Sequence, residues 1–106
     1  MNLKILFFTL FIYWFGFTFS QGGFVLPKNG QTQEAKSVYF LWNPNSYSGS
    51  YKLQIAADSN FNERIATITT INNYYTYEFS NFGIYYCRIK GDNETSWSLS
   101  RKIELL

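Results

Sequence analysis

The sequence contains no histidine, a single cysteine, only two prolines, and no run of five like charges. Without histidine the usual general base and the commonest metal ligand are gone. A Ser-His-Asp or Cys-His site is therefore impossible. One cysteine, Cys87, cannot form an internal disulfide, so the domain must hold together by packing alone. Setting aside Lys4 in the leader leaves eight Lys and Arg against seven Asp and Glu, a net charge of +1. That balance, with neither sign clustered along the chain, offers no basic stripe for a phosphate backbone, so nucleic acid is not expected as a partner.

What the sequence does have divides at about residue 20. Residues 5–19 read ILFFTLFIYWFGFTF, an uncharged apolar run preceded only by Lys4. A basic start, an apolar run and a small-residue exit at Thr18-Phe19-Ser20 form the secretory pattern. Residues 1–20 are read as a signal peptide cleaved after Ser20, and 21–23 as a short lead-in. The rival is an uncleaved anchor. A membrane span wants ~20 apolar residues, and Gln21-Gly22-Gly23 ends this run sooner. The mature protein is expected outside the cytoplasm, secreted, periplasmic or at the cell surface, with no membrane span. Cys87 lies far from the cleavage point, so lipid anchoring through a first mature cysteine does not apply.

Residues 24–106 are long enough for one small domain. Their apolar residues recur at period two and are rich in β-branched and aromatic types, the mark of strands. The expected strands are Val25 to Lys28, Ser37 to Trp42, Tyr51 to Ala57, Ala66 to Ile71, Tyr74 to Phe79, Ile84 to Lys90 and Leu99 to Leu105. Pro27 marks the first as an edge strand, and the Thr-rich ATITTI segment reads as another. Core-facing positions are Val38, Phe40, Trp42, Leu53, Ile55, Tyr85, Cys87 and Ile89, with Tyr51, Ile103 and Leu105. Lys52 and Gln54, and Tyr86, Arg88 and Lys90, fall on the opposite faces of their strands. Asn-, Asp- and Gly-rich turns separate the strands. About seven strands at this spacing predict an all-β sandwich.

Three stretches give that sandwich a family likeness. Val38-x-Phe40-x-Trp42 followed by Asn43-Pro44, Tyr51 to Phe61, and Gly83 to Ile89 followed by Ser96-Trp97-Ser98 together resemble a fibronectin type III domain of exported bacterial proteins. The resemblance covers roughly residues 24–106 and implies an immunoglobulin-like β-sandwich. It also implies that the Tyr85 hydroxyl bonds back to nearby backbone as a tyrosine corner. Trp97-Ser98 resembles half of a tryptophan–serine motif in which an arginine of the neighbouring strand, here Arg88, lies on the indole. The other course for Trp97 is inward, in phase with Leu99, Ile103 and Leu105. Two features depart from the family. The Phe79 to Tyr85 turn is short, and Cys87 stands where an apolar or aromatic residue is usual. Tyr85-Tyr86-Cys87 is also similar to immunoglobulin domains, but no partner cysteine accompanies it.

The remaining chemistry is sparse. Cys87 has no activating histidine and reads as a small core residue. Asp58-Ser59-Asn60-Phe61-Asn62 has the first half of a calcium loop, but Glu63 and Thr69 stand where the glycine and final glutamate belong. It reads as a polar turn. Asn93-Glu94-Thr95 is a glycosylation sequon that matters only in a eukaryotic secretory pathway. No cofactor, metal or catalytic residue is expected. Candidate ligand contacts are the aromatics on polar faces or in loops, Tyr39, Tyr47, Tyr74, Tyr86 and Trp97. The expected function is a non-catalytic exported binding or spacer module for a protein or polysaccharide partner. The alternative is a carbohydrate-binding accessory domain that uses the surface tyrosines and Trp97.

Overall fold

A computed structural model describes residues 23–44 and 49–106. The signal-peptide expectation for residues 1–20, and Tyr47, lie outside the described residues. The described chain is all-β, with eight strands: β1 Phe24–Leu26, β2 Gln31–Gln33, β3 Ser37–Trp42, β4 Tyr51–Ala56, β5 Arg64–Thr70, β6 Tyr74–Glu78, β7 Gly83–Gly91 and β8 Arg101–Leu105. They form two sheets, one ordered β1-β3-β6 and the other β2-β8-β7-β4-β5. Pairing is antiparallel except between β2 and β8.

Alternation explains how the sheets meet. On β3, Val38, Phe40 and Trp42 are buried while Ser37 and Tyr39 are exposed. On β7, Tyr85, Cys87 and Ile89 are buried, and their neighbours are not. Tyr51, Leu53 and Ile55 of β4 and Ile103 and Leu105 of β8 join them in one apolar core with Phe24 and Phe79. Trp42 is the largest fully buried side chain. Its indole meets Phe24 edge-on at 6.4 Å between centroids and Tyr51 at 5.7 Å, geometries that favour aromatic pairs. The indole Nε1 of Trp42 is buried with no hydrogen-bond partner among the described residues.

Four details differ from the sequence expectation. The first strand is Phe24–Leu26, so Pro27 follows it rather than sitting inside it. β2 was not expected, because Gln31-Thr32-Gln33 carries no apolar residue. It forms because Gly30, at φ +83°, turns the chain so that its N–H reaches the Lys102 carbonyl at 2.8 Å. Gln54 was expected outward and does lie on the outer face, yet it is only 7% exposed. A period-two pattern assigns a face but not what covers it.

The fourth difference is the last strand, which begins at Arg101 rather than Leu99. Leu99, expected in phase with the core, is 91% exposed. Ser98 is the cause. Its N–H donates to the Ile89 carbonyl at 2.9 Å, and its hydroxyl accepts from the Ile89 N–H at 3.0 Å. Cys87 pairs with Arg101, so three steps of chain from Ser98 to Arg101 oppose two on β7. The extra residue is a bulge, and a bulge breaks the alternation that would have turned Leu99 inward.

Candidate functional site

The four aromatic candidates among the described residues do not converge. Tyr39 and Tyr74, 46% and 48% exposed, stand on the outer face of the three-stranded sheet. Tyr39 is opposite Thr76 and Tyr74 opposite Leu41, so the two tyrosines are diagonal neighbours. Tyr86 and Trp97, both half-buried, belong to the outer side of the five-stranded sheet, across the core from them. No single platform holds all four.

The five-stranded face is built around Arg88. Its guanidinium carbon lies 4.1 Å from the centre of the Phe61 ring and 4.4 Å from that of Trp97. Lys90, two residues on along β7, puts its ammonium 5.0 Å from the same indole. The indole is thus engaged by two cations, and Trp97 takes the stacking course rather than plugging the core. Arg88 also donates from Nε and Nη2 to Gln54 Oε1 at 2.8 and 2.5 Å, and Gln54 Nε2 donates to Thr67 Oγ1 at 3.2 Å. This chain ties β7 to β4 and β5 and meets the hydrogen-bonding needs of the buried amide. Burial, and then the nearby charge of Arg64, lowers the Arg88 pKa.

Phe61 completes the stack from an unusual backbone position, with φ +57°. The turn that holds it there is organised by Asp58, whose carboxylate accepts from the N–H of Glu63 at 2.7 Å and of Asn62 at 3.1 Å. Those bonds, Glu63 first, hold the Asp58 carboxyl below its ordinary pKa. The half calcium motif is therefore occupied with fastening a turn. Among the described residues no group of three His, Cys, Asp or Glu could hold a metal ion.

No protein-family model, curated protein or solved structure matches the chain. The residues' own geometry is what speaks to function. Cys87 is fully buried, its S–H directed to the Arg101 carbonyl at 3.6 Å, and burial pushes the thiol up to about 12. A nucleophile needs the thiolate, so Cys87 serves packing. The Tyr85 hydroxyl donates to the Asn81 carbonyl, four residues upstream, at 2.8 Å. Beside the Ser98 bulge, an open groove runs between Phe24 and Leu99. Arg101 on its wall donates to the Pro27 carbonyl at 2.8 Å.

Sequence reasoning missed two members of the central cluster. Phe61 read as part of a turn, and Gln54 as an ordinary surface amide. The signal that could have found them is the pairing of Arg88 with Trp97. A guanidinium held flat on one ring has a second flat side, and its N–H groups need an acceptor on the adjoining strand.

Proposed function

We propose that this protein is a non-catalytic module of the fibronectin type III kind, exported from the cell, that binds or spaces partners at the cell surface. The observation that carries the reading is the Tyr85 hydroxyl bonded to the Asn81 carbonyl at 2.8 Å, at the crossing from β6 in one sheet to β7 in the other. A tyrosine at the start of that strand, tied to backbone a few residues upstream, is the corner of immunoglobulin-like sandwiches. The Ser98 hydroxyl on the β7 backbone and Arg88 on Trp97 support it further, as the two halves of the tryptophan–serine arrangement.

Three side chains that could do chemistry are engaged within the fold, which supports the reading. Cys87 is a buried thiol, Asp58 fastens a turn, and Arg88 is held between two rings. Function then rests on the outer faces of the sheets, as in binding modules whose scaffold is rigid and whose surface is the working part. The test is co-sedimentation of the purified protein with envelope fragments of the cells that make it. Saturable association is expected. Association no greater than that of an unrelated protein of similar charge would overturn the reading.

A further inference from the structure

No run of five like charges exists in the sequence, yet folding gathers cations onto one face. On the outer side of the five-stranded sheet, Lys52 of β4 lies directly opposite Lys90 of β7. Arg88 is the next outward residue of β7, and Lys102 of β8 is opposite Tyr86. Arg64 opens β5 opposite Ala56, close enough for its charge to act on Arg88. Five of the eight cations after Lys4 thus share one face, and Glu104, opposite Ile84, is its carboxylate among the described residues.

Of the acids in the turns at the two ends of this face, Glu63 stands next to Arg64 in sequence, and the other three are bonded to backbone. Asp58 accepts from Glu63 and Asn62, Asp92 from the N–H of Gly49, and Glu94 from the N–H of Gly91. Like charges directly opposite on a sheet are destabilising, so the Lys52–Lys90 pair weakens the fold on its own. An arrangement of that kind is stabilised when an anion lies across it.

We propose that this face binds an acidic polysaccharide, a glycan with about one carboxylate or sulfate per sugar. This rests on the binding-module reading above and names its partner. Adjacent strands lie ~4.8 Å apart, close to the length of one sugar unit in a chain. A polymer crossing β4 and β7 meets Lys52 and Lys90 side by side, and Arg64 on β5 and Lys102 on β8 form a second pair level with Ala56 and Tyr86, four residues along those strands. Tyr86, half-buried among them, offers an aromatic surface to an apolar sugar face. Duplex DNA presents a charge every ~1.7 Å of axis, several times denser than the cations on this face.

The test is retention of the purified protein on immobilised polygalacturonate and dextran sulfate, with neutral dextran, duplex DNA and phosphatidylglycerol vesicles in parallel. Retention on at least one acidic glycan, release by salt and none on dextran are expected. Lys52→Gln/Lys90→Gln should weaken glycan binding at least tenfold with the melting temperature unchanged or raised. Lys36→Gln, at a lysine bonded instead to the Ser80 carbonyl, should weaken it less than threefold. An equal loss from Lys36→Gln, no glycan retention at low salt, or tighter binding to DNA or vesicles would overturn the proposal. If envelope association survives Lys52→Gln/Lys90→Gln, the module reading stands and the acidic-glycan assignment falls.

Discussion

Replacing Arg88 with alanine removes its contacts with Phe61, Trp97 and Gln54. Two aromatic faces, at 4.1 and 4.4 Å, lose their cation, at ~0.5–1 kcal/mol each. Gln54 Oε1, buried beneath the guanidinium, loses both donors, and an unsatisfied buried acceptor costs ~1–3 kcal/mol. Together these predict a loss of about 2–5 kcal/mol on Arg88→Ala, read as a lower urea midpoint with unchanged slope. Arg88→Lys should recover less than half, since an ammonium cannot lie flat between two rings while donating twice to one oxygen. A double-mutant cycle with Trp97→Leu separates stacking from packing. Coupling above ~0.5 kcal/mol is expected. A cost below that for Arg88→Ala, with no coupling to Trp97, would refute the reasoning.

Trp42→Ala should cost ~3–5 kcal/mol, as for other large aromatic truncations in a core, and on a total stability of ~5–15 kcal/mol the variant should melt far lower or not fold. Cys87 should react with a maleimide only after denaturant is added. Because its folded pKa of about 12 exceeds the ordinary 9.0, the folded thiol keeps its proton where the unfolded one releases it. Its contribution to stability is therefore complete below pH 9 and lost as pH rises towards 12, a slope missing from Cys87→Ala. Asp58 should titrate below its ordinary value of 3.8 by carboxyl NMR, and the order of its turn should persist above that pH and be lost as pH falls through the folded pKa. A normal Asp58 titration would mean that its bonds to Glu63 and Asn62 do not form in solution.

Much of the fold is legible in the sequence because a half-buried strand writes its register in every second residue. Val38-Phe40-Trp42 and Tyr85-Cys87-Ile89 state their inner faces outright. Legibility ends where a local bond overrides alternation. Ser98 replaces a backbone acceptor with its hydroxyl, inserts one residue, and turns Leu99 into solvent. It ends also where strands are too short and polar to carry a pattern, as with Gln31-Thr32-Gln33. The Arg88–Trp97 stack was readable from a motif, but Gln54 and Phe61 required knowing which strands are neighbours. The same holds for the basic face. Lys52 and Lys90 are far apart in sequence and directly opposite in the sheet, so no window along the chain reveals them.

The outer face of the five-stranded sheet is the proposed working surface, and its lysines provide the most direct measurement. Amine-reactive footprinting with mass spectrometry should compare the purified protein alone with the protein saturated by envelope fragments. Lys52, Lys90 and Lys102 should be protected several-fold, while Lys36, whose ammonium donates to the Ser80 carbonyl at the β6–β7 crossing, keeps its labelling rate. Equal protection of all four, or protection confined to Lys36, would contradict it.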